Sequence, residues 1–303
     1  MTNGFTLLSG TANPPLAEAL ARALGVELGA CRVRRFPDGE LSVELLDSVR
    51  GRDVLVVQPT CPPVNDHLVE LLAFADVCRR SSAKSVTAVV PYFGYARADK
   101  RNNLRQPITA SMVASVLQAA GVDHVLTMDL HTPQLEGFFH VPVDTLTAVP
   151  ALCEALRGPL PGDATVVSPD AGRVPLATEY ARLLGLPLAV LHKRRASGTE
   201  TEVTHLVGEV AGRTCLLIDD MISTGGTLVK SMEALRGAGA RDFVIAATHG
   251  LLLEDALPRL RAAGAREVFV TDTVPHPGAA DGLHVVSVAP VLAQAVRKLV
   301  PEA

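Results

Sequence analysis

A chain of 303 residues, 48% of them hydrophobic, carries enough apolar material for two cores of about 150 residues each. Its formal net charge of −4 and the lack of a basic tract argue against nucleic acid or a membrane surface as a partner, and no apolar run reaches the roughly 18 residues of a membrane span. The start MTNGFTLLSG has no signal-peptide pattern, and five cysteines without a C-x-x-C pair fit reduced, buried thiols in a cytoplasmic protein.

Leu16 to Leu28, L-A-E-A-L-A-R-A-L-G-V-E-L, reads as a helix, a stop at Gly25 and the start of a strand. Arg35-F-P-D-G-E-Leu41 is a turn by composition, which alone means only a hairpin. The apolar runs in Val54 to Pro59 and Ala83 to Pro91 predict buried strands. Residues 94–107 then form an excursion of a size that is usually functional or disordered in a compact α/β unit. Within Pro91-Y-F-G-Y-A-R-A-D-K-R-N-N-L-R-Q-Pro107, aromatics suit stacking on a base, and Arg97, Lys100, Arg101 and Arg105 suit a polyphosphate. Cations interleaved with aromatics also suit single-stranded nucleic acid, but this stretch is short and isolated in a net acidic protein. Leu126 to Gln134 reads as a strand end that presents Asp129 and His131; a lone histidine there is more often structural.

A boundary is expected after V-P-V-D-T-L, with one domain over 1–147 and a second over 148–303. The Pro/Gly-rich stretch 156–163 connects a helix to the first strand of the second half. Val166 to Gly172 presents Asp170 at a strand's C-terminal edge, where open α/β sheets bind ligands, although an aspartate there also caps a following helix. His131 and Asp170, at two such strand ends, are a candidate pair for Mg²⁺. Lys193, Arg194 and Arg195 follow the apolar run 186–191 at an expected strand end, ahead of a polar stretch, 196–202, suited to act as a flap. Phosphoryl transfer needs cations set against developing charge.

Cys215 to Thr227, C-L-L-I-D-D-M-I-S-T-G-G-T, is the most informative segment. An apolar strand runs into Asp219 and Asp220, then into a glycine-bearing loop at a helix N-terminus, where backbone N–H groups and the helix dipole favour a phosphate. Gly225 and Gly226 permit close backbone approach, and Thr224 and Thr227 add hydroxyl donors. The paired acids suit vicinal sugar hydroxyls or Mg²⁺.

The two halves repeat one plan. Leu16–Leu28 lies beside Leu176–Leu188, the strand at Val54 beside that at Thr214, Ala83 beside Ala240 and Asp123 beside Arg266, in the same order. Apolar runs alternating with helical periods indicate parallel sheets built from βαβ units. Gln58 and Pro59 stand where Asp219 and Asp220 stand, so the sugar-phosphate site is expected in the second half alone.

Together F-P-D-G-E (36–40), P-Y-F-G-Y-A-R (91–97), T-M-D-L-H (127–131), G-F-F-x-V-P-V-D (137–144), S-P-D-A-G (168–172), K-R-R (193–195) and the 219–227 segment resemble the ribose-phosphate pyrophosphokinases, or PRPP synthetases, along nearly the whole chain. The resemblance implies two phosphoribosyltransferase-type α/β domains, each a mainly parallel sheet flanked by helices, in a cytoplasmic homo-oligomer, expected to be a hexamer built from dimers. It implies transfer of the diphosphoryl group of ATP to the 1-hydroxyl of ribose 5-phosphate, giving PRPP and AMP, with Mg²⁺ on His131 and Asp170. Lys193 and Arg195 would stabilise the transition state. Phe36, Asp38, Gly39, Glu40, Arg97, Ala98, Asp99 and Lys100 would hold ATP, the 36–40 turn reaching it from a neighbouring subunit. Arg195, Asp219, Asp220, Ser223, Thr224, Gly225, Gly226 and Thr227 would hold ribose 5-phosphate.

Two alternatives share parts of this pattern. A phosphoribosyltransferase would need only the 219–227 loop, and a non-catalytic regulatory subunit would keep the fold without the catalytic cations and metal ligands. Ala98, Asn102 and Ser223 stand where many relatives have Gln, Asp and Asp, and the chain runs only a few residues past Lys298. These departures imply weak ATP affinity and no complete regulatory site for phosphate and ADP.

Overall fold

The computed structural model of the chain describes residues 4–300 apart from 102, 198–199, 277 and 279, and within 193–204 it describes no side chains. Two compact units result: the chain up to Thr147 with Thr273–Pro275 and the segment from Val288, and Ala148–Asp272 with His276–Ser287.

The first unit holds β1 (Phe5–Ser9), α1 (Pro14–Leu24), β2 (Cys31–Arg35), β3 (Leu41–Leu45), β4 (Asp53–Val57), α2 (Val64–Arg80), β5 (Ser85–Val90), α3 (Thr109–Ala119), β6 (His124–Met128) and β7 (Val143–Leu146). Asn13 caps α1 by accepting from the Leu16 N–H, and Gly25 ends it at φ +73°, a conformation that costs other residues steric strain. The sheet runs β1-β4-β5-β6-β7, all parallel. Its central strands are near-continuous apolar runs, such as the buried Val54–Val57, because helices cover both faces of a parallel sheet. β2 and β3 form a separate antiparallel hairpin.

The second unit holds α4 (Val149–Leu156), β8 (Thr165–Ser168), α5 (Val174–Leu184), β9 (Leu188–Ser197), β10 (Glu200–Val207), β11 (Thr214–Ile222), α6 (Gly226–Gly237), β12 (Asp242–Gly250), α7 (Ala256–Ala262), β13 (Ala265–Thr271) and β14 (Leu283–Val286). Its sheet runs β10-β9-β8-β11-β12-β13-β14, parallel except between β9 and β10. Without the β9–β10 hairpin, this is the strand order of the first unit.

The repeat holds at the level of register. Leu7 bridges to Leu28 and pairs with Leu55, while Val166 pairs with Leu188 and Leu216. Leu55 pairs onward with Thr87, and Leu216 with Val244. Counting along the strands from these pairs sets Gln58 and Pro59 at the positions of Asp219 and Asp220.

The final helix, α8 (Ala289–Leu299), belongs to the first unit rather than to the second half in which it falls by sequence. It buries Leu292, Ala293 and Val296 and packs on α1, where Arg297 donates to the carbonyl of Ala23. An amphipathic helix goes where its apolar stripe finds cover, and chain order does not fix that place.

Cys61, Cys78, Cys153 and Cys215 are buried free thiols; burial pushes Cys61 up to about 11 and the other three up to about 12. Alkylation depends on the thiolate, so iodoacetamide at neutral pH is expected to leave all four unmodified in the folded protein and to label them once it is unfolded. Mass spectrometry checks this; labelling of any of them in the folded protein would contradict it.

Candidate active site

In the second unit, β8 and β11 are neighbours, and their C-terminal ends build the site. β11 is buried from Thr214 to Ile218 and delivers Asp219, partly buried, and Asp220, buried. The chain then passes Ser223 and the exposed Thr224 to Gly225, at φ +74°, the N-cap residue just before α6. A glycine has no side chain with which to cap a helix. The N–H groups of Gly226, Thr227 and Leu228 have no partner among the described residues. A Cβ placed on Gly226 would meet nothing within 4 Å. Open space over unpaired N–H donors at the positive end of a 12-residue helix is suited to a phosphate.

Asp170 follows the end of β8, and its Oδ1 accepts from the N–H groups of Gly172 and Arg173 at 2.9 and 3.1 Å. It therefore caps the 3-10 turn Ala171–Arg173, as its sequence context allowed. Its Oδ2 keeps the lone pairs of a carboxylate, so capping leaves Asp170 suited to a hard cation. The turn aims Arg173, which the sequence reading passed over, at the acid pair. Its Nε lies 3.1 Å from Asp219 Oδ1 and a terminal nitrogen 2.8 Å from Asp220 Oδ1. Burial, and the carboxylate of Asp220 beside it, push the Asp219 carboxyl well above the usual range, against the pull of Arg173. No spacing rule links positions 173 and 219. The only signal was an arginine close after a strand end, in a sheet where that strand lies next to the acids.

Lys193 pairs with Val203 and Arg195 with Thr201 across the β9–β10 hairpin. Both lie inside a strand rather than past its end, because β10 continues the ladder beyond the point where β8 stops. Their side chains lie outside the described residues, as does Asn102.

In the first unit the counterpart of the acid-lined site is filled from within. Gln58 Oε1 accepts from Ala12 N, and buried Glu70 accepts from the N–H and hydroxyl of Thr11 at 2.6 and 2.5 Å. The first unit instead has a cavity of about 570 Å³ lined by Tyr92, Tyr95, Arg97, Ala98, Lys100 and Gln106, among others. That size is in the range of small-molecule sites. Ala98 is held by its backbone, donating to Tyr95 O and accepting from Ala110 N. Asp99 accepts from the Thr132 hydroxyl at 2.9 Å, which ties this loop to the segment after β6 that carries His131. The Phe36–Glu40 turn closes the β2–β3 hairpin with Phe36 47% exposed, Gly39 at φ +93° and Glu40 N donating to Asp38. Among the described residues no group of three or more His, Cys, Asp and Glu forms a ready metal site, and no helix is long and apolar enough to cross a membrane.

A duplicated parallel sheet, with an acid pair running into an uncapped helix N-terminus in one copy, defines a phosphoribosyltransferase-type α/β protein. Residues 5–121 match the N-terminal domain of ribose phosphate pyrophosphokinase, and residues 161–271 match the phosphoribosyl transferase domain. The chain is 45% identical to the ribose-phosphate pyrophosphokinase of Chromobacterium violaceum, over 98% of this chain and 92% of that one, and 42% identical to that of Thermotoga maritima, over 98% and 96%. The crystal structure of phosphoribosylpyrophosphate synthetase from Mycobacterium smegmatis superposes with a TM-score of 0.90 at 43% identity, over 98% of both chains. This chain belongs to the ribose-phosphate pyrophosphokinase family.

Proposed function

We propose that the chain transfers the diphosphoryl group of ATP to the 1-hydroxyl of ribose 5-phosphate. The hydroxyl oxygen attacks the β-phosphorus, the bond from that phosphorus to the oxygen shared with the α-phosphate breaks, AMP leaves, and the hydroxyl proton is released. The observation that carries this reading is the acid pair running into the glycine-started helix α6. Asp219 and Asp220 accept from the sugar hydroxyls, and Ser223–Thr227 take the 5-phosphate. ATP falls to Arg97, Ala98, Asp99 and Lys100 around the first unit's cavity, and to Phe36, Asp38, Gly39 and Glu40. Lys193 and Arg195 meet the charge of the transferring group, with Arg195 also at the sugar phosphate. His131 and Asp170 are the candidates for ligating Mg²⁺, which when bound would offset phosphate charge. By resemblance we assign the protein to the cytoplasm and to a hexamer built from dimers.

Incubating the protein with ribose 5-phosphate, ATP and Mg²⁺ should yield PRPP and AMP. Consumption of PRPP with a nucleobase, without its synthesis, would favour a phosphoribosyltransferase instead. Ala98 offers a methyl group where an amide would reach a phosphate or ribose, so ATP affinity should be weak for the family. We expect activity without added phosphate, and ADP inhibition that competes with ATP. Inhibition that stays strong at saturating ATP would reveal a second, regulatory site.

A further inference from the structure

Two adjacent carboxylates at the end of a buried strand repel each other, and their direction is set only if something holds both. Arg173 does so from the neighbouring strand end. Its side chain is 17% exposed, against 15% for Asp219 and 5% for Asp220, so the contact is shielded from water. The guanidinium takes Oδ1 of each acid, and Asp219 Oδ1 also accepts from Asp220 N at 2.9 Å. Both carboxylates are thereby fixed about one atom each, with the second oxygen of each set in direction. The arginine is itself anchored, because its own N–H donates to Asp170. A rigid planar fork can bridge two acids in this way, whereas an ammonium on a flexible stem acts as a point charge.

We propose that Arg173 is a positioning residue that aims Asp219 and Asp220 at the 2- and 3-hydroxyls of the sugar, and so sets the preference for ribose 5-phosphate over 2-deoxyribose 5-phosphate. This rests on the sugar assignment above. A site built to accept a hydroxyl rejects the analogue lacking it, because the acceptor is left unpaired, and that penalty depends on the acceptor being held in place. The test uses R173K, which keeps the charge and loses the fork, beside R173M. In R173K, KM for ribose 5-phosphate should rise about tenfold with kcat and KM for ATP within about twofold, and the kcat/KM ratio of ribose to deoxyribose substrate should fall about tenfold. R173M should lose more on both counts. Calorimetric titration of each protein with the two sugar phosphates, without ATP, reads the same preference independently of turnover. An unchanged preference in R173K and R173M, by kinetics or by titration, overturns the role of Arg173. A wild-type protein that makes no PRPP overturns the functional reading, and the titration still decides the question of Arg173.

Discussion

Lys193→Ala is expected to lower turnover by about 10²–10³ with modest changes in KM, the usual cost of losing one charge contact made in the transition state. Diphosphoryl transfer leaves little covalent work for the protein, so cations facing the transferring group carry much of the rate. β9 holds Lys193 within the hairpin ladder, opposite Val203, so its backbone is set by strand pairing before any substrate arrives. Steady-state kinetics with each substrate varied in turn provide the check. Near-native turnover together with a large rise in KM for ATP would make Lys193 a ground-state ligand of the nucleotide.

Asp220→Ala should reduce kcat/KM for ribose 5-phosphate by about 10² and leave KM for ATP within about twofold. A hydrogen bond to a charged group is worth about 1.5–3 kcal/mol, or roughly ten- to 150-fold. Asp220 is the more buried acid, so water replaces it poorly. Its removal also strips from Arg173 one of the two carboxylates that its guanidinium bridges. Asp219→Ala is expected to act in the same direction with a smaller loss of stability, since Asp219 is more exposed. Should both variants keep wild-type kinetics with ribose 5-phosphate, the sugar site lies elsewhere.

The filled counterpart in the first unit leaves the second unit as the place of the proposed sugar site. The loop after β1 has donors in place, at Thr11 and Ala12, but Glu70 and Gln58 satisfy them from within the chain. Gly10 is packed so closely that a Cβ there would fall 2.1 Å from Gln58 Oε1. In the first unit the position of Asp219 is thus packed against the loop after β1, whereas in the second unit the acids are held by Arg173 and the N–H groups of Gly226, Thr227 and Leu228 have no partner among the described residues.

Sequence alone determined the features that depend on neighbours along the chain. Apolar run length marked the buried strands, and Gly25 and Gly185 marked the ends of α1 and α5, because only residues tolerant of positive φ close a helix in that way. The strand-for-strand repeat was legible because each unit solves the same burial problem with the same order of elements. The Asp219–Thr227 segment was legible because strand end, acids, glycine and helix start are contiguous. Tertiary structure alone decided what depends on which strands become neighbours. Arg173 meets Asp219 and Asp220 only because β8 pairs with β11, and Glu70 reaches Thr11 from α2, far along the chain. Lys193 sits inside a strand because β10 turns back to pair with it, and α8 joins the first unit because its apolar stripe finds cover against α1. Hydrophobic burial and ion pairing act through space, and the position of a residue in the chain carries no record of the partner that folding brings to it.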